Sequence, residues 1–288
     1  MNDVLPHDRL PITVIVSTKN EEEGIAAALS HLTSFDDVIV VDSASTDRTV
    51  EISESLGARV IPFVWDGKYP KKKQWCLENA GAKYDWVLFL DADERPSDDL
   101  LVELRSIVPE LESAKFGGYD LLLSYRFAGK FLKHGHRVTK RALLDPKHSR
   151  FPVVNDLEAP GMQELEGHYQ PLVDGPIGSL RGRILHDDKD PIRTWFDRHN
   201  RYSDWEAYLA VNTELKADIA SKRSSNGRIF DKVPFKPALF FLYSYLARLG
   251  FLDGRAGFDY AFALSGYYWQ IGVKVREIRR LRIEADQS

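Results

Sequence analysis

Four apolar runs separated by helical segments dominate the first hundred residues: ITVIVST (12–18), VIVVDSAST (38–46), ARVIPFV (58–64) and DWVLFLDAD (85–93). Between them stand EEEGIAAALSHL, with acidic residues expected in its first turn, TDRTVEISESLG, closed by Gly57, and KKKQWCLENAGAK. Strands that are apolar without alternation must be covered on both faces, and helices between consecutive strands supply that cover in a parallel sheet. From about 116 to 186 the pattern predicts short strands with Gly/Pro turns such as VDGPIG. Asp190-Pro191 predicts a helix start, with Asp190 as cap and Pro191 at the first helical position. That helix carries Ile192, Trp195, Phe196, His199, Tyr202, Trp205 and Leu209 at helical spacing. Residues 221–234 read as a linker, and two apolar helices joined by LGFLDGRAGF close the chain. The expected fold is α/β, a Rossmann-like, mixed and mostly parallel sheet with a C-terminal helical extension. The expected divisions are 1–115, 116–190 and 191–288.

In parallel sheets ligands sit beyond the carboxyl ends of the strands. The polar residues leaving these strands are Thr18, Lys19, Asn20 and Glu21, then Asp42 and Ser43, then Asp91 and Asp93. The last group is the sharpest, because Asp91, Asp93 and Glu94 place three carboxylates in four positions. They repel one another and are costly to dehydrate, so a cation or water must offset them. A divalent ion with oxygen preference, Mg²⁺ or Mn²⁺, suits a site that bridges carboxylates to a substrate phosphate. The competing reading is an acidic start to the helix PSDDLLVEL, although Ser97 already offers a cap there. A phosphatase with a nucleophilic Asp is disfavoured by Arg95, where such enzymes carry Thr.

Composition narrows the classes. The one cysteine in 288 residues, Cys76, excludes an intrachain disulfide framework and all-cysteine metal sites and favours a reducing, cytoplasmic setting. MNDVLPHDRLP has no apolar core of signal-peptide length. The stretches PALFFLYSYLA and YAFALSGYYWQIGV fall short of the roughly 20 residues a spanning helix needs. From Lys222 onward 12 Lys/Arg stand against 6 Asp/Glu, a net of +6 that leaves −10 for the rest. A tail that is basic and aromatic suits an anionic membrane surface. Nucleic acid is not expected as a partner, because no dense basic patch forms outside the extreme C-terminus.

STKNEEEGI, VIVVDSASTDRTVEI, DWVLFLDADE, GPIGSLRGRILHDD and RLGFLDGRAGF together resemble family 2 glycosyltransferases of the GT-A fold, closest to the bacterial lipopolysaccharide-core and exopolysaccharide glucosyltransferase branch. The resemblance spans most of the chain and implies a nucleotide-sugar-binding half over 1–115. It also implies an acceptor-binding half over 116–190 and a membrane-surface or acceptor-docking extension over 191–288. By the same resemblance Thr18, Asn20 and Glu21 line the nucleotide site and Asp42 contacts uracil or ribose. Lys73 lies near the donor diphosphate, unless Lys71–Lys73 is only a solvated lysine run. Asp91 approaches ribose or metal, Asp93 binds the metal, and His186 completes the metal or diphosphate site unless it is structural.

An inverting transfer needs a base on the acceptor side to take the hydroxyl proton. Glu164, in PGMQELEG, matches the Glu of a Val-His-Glu-like family segment, with Met162 and Gln163 as departures; Asp156, Glu158 and Glu166 compete. The segment HGHRVTKRALLD (134–145) keeps only a general likeness, with Arg141 its best match, so acceptor identity does not carry over. The implied reaction moves a hexose, glucose foremost, from a UDP-sugar to a lipid-linked glycan. It uses Mn²⁺ or Mg²⁺ at the inner face of the cytoplasmic membrane. A sugar-nucleotide pyrophosphorylase is the rival enzyme, but the chain lacks a Gly-rich basic loop after its first strand. A non-catalytic nucleotide-sugar-binding protein is the other rival.

Overall fold

The first strand is apolar throughout because it is covered on both sides. The computed structural model describes residues 9–287 apart from 114, 162, 167–168 and 213–234. In it β1 (Leu10–Thr18) turns Ile12, Val14 and Val16 to one face, among Ile25, Leu29, Leu88, Leu90, Leu100 and Leu104. Ile15 turns to the other face, among Ile39, Val41, Phe63, Cys76, Val87 and Phe89. Period-two alternation thus feeds two cores from one strand.

The chain continues through α1 (Ile25–Ser30), β2 (Phe35–Asp42), α2 (Thr49–Ser55), β3 (Arg59–Pro62), α3 (Lys72–Asn79) and β4 (Val87–Asp91). Next come β5 (Glu94–Pro96), α4 (Asp98–Glu112), β6 (Gly118–Phe127), β7 (Lys130–Phe131), β8 (Val138–Leu144), β9 (Ser149–Arg150), β10 (Leu172–Val173) and β11 (Ile177–His186). The main sheet follows the order β3-β2-β1-β4-β8-β6-β11-β5. Pairings β2–β3, β1–β2, β1–β4 and β6–β11 are parallel, and β4–β8, β6–β8 and β5–β11 are antiparallel. The expected α/β class and mostly parallel sheet are therefore observed, with the switch in strand order at β1.

Two local expectations change here. The helix after β1 begins at Ile25, not at Glu21; the amides of Asn20, Glu21 and Glu22 donate to Ser45 Oγ, Thr49 Oγ1 and Asp47 Oδ2 of the segment after β2. The acidic residues thus lace two loops together. The region 116–186 holds two ten-residue strands, β6 and β11, whose long parallel pairing local turn signals did not reveal. On β11, Gly182 passes so close to α4 that a Cβ would collide with the Leu100 backbone. Ser97 does cap α4, its Oγ accepting from Leu100 N at 3.2 Å.

One compact unit comprises 1–126, 138–151 and 171–188; the other comprises 127–137, 152–170 and 189–288. The second is built on α5 (Ile192–Val211), α6 (Lys236–Leu242) and α7 (Arg255–Asp286), with a π-helical turn at Tyr243–Ala247 and a 3₁₀ turn at Gly250–Asp253. Pro191 has ψ 142°, so it precedes α5 instead of opening it, and Asp190 lies 3.9 Å from Arg198 Nη1. Trp205 and Leu209 pack with Val154, Ala159 and Tyr169. Phe127, Leu132, Phe240, Tyr260 and Leu264 form the other cluster. Within LGFLDGRAGF, Gly257 approaches Gly250 so closely that a Cβ would strike its carbonyl oxygen. The linker expected at 221–234 lies outside the described residues.

Candidate active site

The carboxyl ends of the parallel strands stand in one row. Thr18 is opposite Asp42 across β1–β2, and Ser17 is opposite Asp91 across β1–β4. Asp42 is 4% exposed, and its carboxylate accepts from Thr18 Oγ1 at 3.1 Å, Ser45 N at 2.8 Å and Ser45 Oγ at 2.5 Å. Those donors compensate the buried charge and orient the group. Asn20, held at φ 56°, accepts from Thr46 N at 2.8 Å. The exposed Asn20 and the half-buried Glu21 both lie in the loop that follows β1.

Lys71 and Lys72 are buried, so the solvated-run alternative fails for both. Lys72 Nζ donates to Thr18 O at 3.2 Å and Ser43 Oγ at 2.7 Å, tying the ends of β1 and β2. Lys73 is half-buried, and its charge reaches Asp91.

Beyond β4 the chain turns directly into β5, whose Glu94 pairs with His186 at the end of β11. Asp187 N donates to Asp93 O at 2.8 Å and fixes the turn. This pairing brings Asp93, His186 and Asp188 together, each offering a ligand atom within 4.8 Å of the others. His186 Nε2 is 3.3 Å from Asp93 Oδ2. Glu94, almost wholly buried, accepts from Asp91 N at 3.0 Å and from Lys140 Nζ of β8. Lys140 Nζ also donates to Asp91 Oδ2 at 3.2 Å. His186 Nδ1 stands 3.7 Å from Glu94 Oε1, beyond ordinary hydrogen-bond length, so that contact is chiefly electrostatic.

The carboxylates are unevenly compensated. Burial pushes Asp91 up, but Lys140, Lys73 and His186 outweigh it and hold the group well below the usual carboxylate range. Asp91 lies deep among protein atoms, yet 44% of its side-chain surface stays open to solvent, so its charge is partly screened. Burial also raises Asp93, and neighbouring Asp91, Glu94 and Asp188 add to the shift against His186, leaving it at about 6. Burial opposes charge on His186, but Glu94 and Asp93 prevail and raise it to about 9. Two carboxylates and an imidazole with surplus negative charge fit a hard to borderline divalent cation. The three carboxylates noted in the sequence are thus offset partly by the protein's own Lys140 and His186.

Of the residues singled out from sequence, Thr18, Asp42 and Asp91 share the strand-end row, and Asp93 joins His186. Asp91 faces Lys140, while Asp188 takes the third place beside Asp93 and His186. Lys140 and Asp188 carried no sequence assignment; the HDD run after β11 was the available signal for Asp188. Glu164 is half-buried in the second unit, and Gln163 before it has φ 45°. Of its competitors, Asp156 is buried and accepts from Trp205 Nε1 at 3.2 Å, and Glu158 is exposed.

Residues 13–152 match the family described as Glycosyl transferase family 2. The uncharacterized glycosyltransferase RP128 of Rickettsia prowazekii is 38% identical over 86% of this chain and 80% of its own length. The chain belongs to glycosyltransferase family 2. Its α/β sheet is accordingly the GT-A arrangement that the resemblance implied. This glycosyltransferase is also similar to the lipopolysaccharide core biosynthesis glycosyltransferase LpsC of Rhizobium meliloti, at 26% identity over 91% of this chain and 93% of LpsC. Among solved structures, S. aureus TarS 1-349 is similar at 16% identity over 91% of each chain with a TM-score of 0.40, too low to add weight.

Proposed function

We propose that the protein transfers a hexose, glucose foremost, from a UDP-sugar to a hydroxyl of a lipid-linked glycan, with inversion, in bacterial cell-surface polysaccharide synthesis. The carrying observation is the convergence of Asp93, His186 and Asp188 at the same sheet edge as the Thr18–Asp42–Asp91 row. Residues 1–115 bind the nucleotide sugar, 116–190 shape the acceptor side and 191–288 dock acceptor or membrane. Thr18, Asn20, Glu21 and Asp42 receive the nucleoside. Asp91 orients the ribose and Lys73 faces the diphosphate.

Asp93, His186 and Asp188 would hold Mn²⁺ or Mg²⁺, with Asp91 beside them. A divalent ion there supplies charge stabilisation for the departing diphosphate, so no leaving-group acid is needed. Glu164 takes the acceptor proton, on the strength of the family resemblance. Similarity to LpsC supports an acceptor of the lipopolysaccharide core class.

No helix among the described residues is long and apolar enough to cross a membrane. Leu242, Leu246, Leu249 and Leu252 are nevertheless each about half exposed, near Arg248 in the chain, which supports peripheral attachment to the inner face of the cytoplasmic membrane.

The test is transfer from UDP-glucose to an extracted lipid-linked core glycan, with the product's anomeric configuration read by proton NMR. A β-linked product is expected, and Glu164→Gln should slow transfer by about 10²–10⁴-fold while UDP-glucose still binds. An α-linked product, or full activity in Glu164→Gln, contradicts the mechanism.

A further inference from the structure

Four carboxylates crowd this edge, and the structure divides them into two pairs. Asp93 and Asp188 group with His186. Asp91 and Glu94 instead share the ammonium of Lys140, whose side chain is 16% exposed. Glu94 has no free reach, since one oxygen takes Lys140 Nζ and Asp91 N while the other faces His186. Asp91 is different: Lys140 holds its Oδ2, and much of the side chain remains open.

We propose that Lys140 is a positioning residue that partitions these carboxylates, fixing Asp91 for the nucleoside and leaving Asp93, His186 and Asp188 to the cation. The inference rests on the nucleotide-sugar reading of the site. A lysine serves this role because it is a compact cation with several donors, able to bond two carboxylates from one point. Its place on β8, antiparallel to β4, lets it approach the strand end from a neighbouring strand. Removing its charge frees Asp91 to swing toward the cation group and adds a net negative charge there. Nucleoside binding should then weaken while cation binding does not.

The experiment compares the wild-type protein with Lys140→Met, using uridine and Mn²⁺ as separate probes. Uridine is neutral, so its binding does not report the lost lysine charge directly. Proton NMR titration should show uridine binding weakened about tenfold in Lys140→Met. Electron paramagnetic resonance should show Mn²⁺ binding unchanged or tightened, by about threefold. In an Asp91→Asn background Lys140→Met should have no further effect on uridine, because Lys140 acts through Asp91.

Since Lys140→Met strands a buried Glu94, the Lys140→Met/Glu94→Gln double variant repeats the measurement without the orphaned charge. Uridine binding equal to wild type in both variants overturns the inference, as does a parallel loss of Mn²⁺ and uridine affinity in a folded protein. A wild type that binds neither UDP nor uridine overturns the nucleotide-sugar reading itself, and the inference with it.

Discussion

Mn²⁺ affinity should rise steeply with pH, and His186 sets the slope. Without a cation the imidazole is held protonated up to about 9 by the Glu94 and Asp93 carboxylates, against the opposing effect of burial. Only neutral imidazole ligates a metal, so binding must displace a proton. At pH 7 that displacement costs about 2.7 kcal/mol, two pH units at about 1.36 kcal/mol each. Raising the pH from 7 to 8 should therefore tighten Mn²⁺ about tenfold, with one proton released per ion. Below pH 6 Asp93 is protonated as well, and the dependence steepens toward two protons. Calorimetric titration at pH 6.5, 7.5 and 8.5, in buffers of contrasting ionisation enthalpy, reads both quantities. His186→Gln should bind more weakly at high pH and flatten the dependence above pH 7. A wild-type affinity indifferent to pH with no proton released, or an undiminished slope in His186→Gln, would mean that His186 is not displaced from its proton by the cation.

Two further outcomes concern stability. His136 is pushed down to about 4, first by burial and then by Arg248, so the folded protein resists its protonation. A depressed pKa gives full stability above 6.5 and a loss as pH falls toward 4, here up to about 3 kcal/mol. Urea unfolding at pH 7 and 4.5 should show a smaller acid loss in His136→Phe than in wild type. Ser97 Oγ accepts from Leu100 N at 3.2 Å and Arg183 N at 3.1 Å, so Ser97→Ala removes a helix cap and a strand contact together. Thermal or urea denaturation should register a loss of about 1–2 kcal/mol.

The parallel half of the sheet was legible because its signals are local. Unbroken apolar strands, the Gly57 turn and the Ser97 cap each declare themselves within a few residues, and the polar strand ends follow from chain direction. The second half depends on distant pairing. β11 joins β6 across about sixty residues, and nothing in VDGPIGSLRGRILH announces a ten-residue parallel strand. Lys140 illustrates the same limit at the site. Three carboxylates in four positions need compensation, yet sequence alone could not say that a lysine almost fifty residues away supplies it to Asp91 and Glu94. The contacts of the Asn20, Glu21 and Glu22 amides with Ser45, Thr49 and Asp47 show the same limit, because they join residues about twenty-five positions apart.

A UDP-sugar and a divalent cation are expected to bind this sheet edge together. Calorimetric titration with UDP-glucose, UDP-galactose, UDP-GlcNAc and GDP-mannose, each with Mn²⁺ and with EDTA, measures this. One UDP-sugar should bind with Mn²⁺, and its affinity should fall at least about tenfold in EDTA and in Asp93→Ala. Binding of no nucleotide sugar, or binding indifferent to both EDTA and Asp93→Ala, would contradict it.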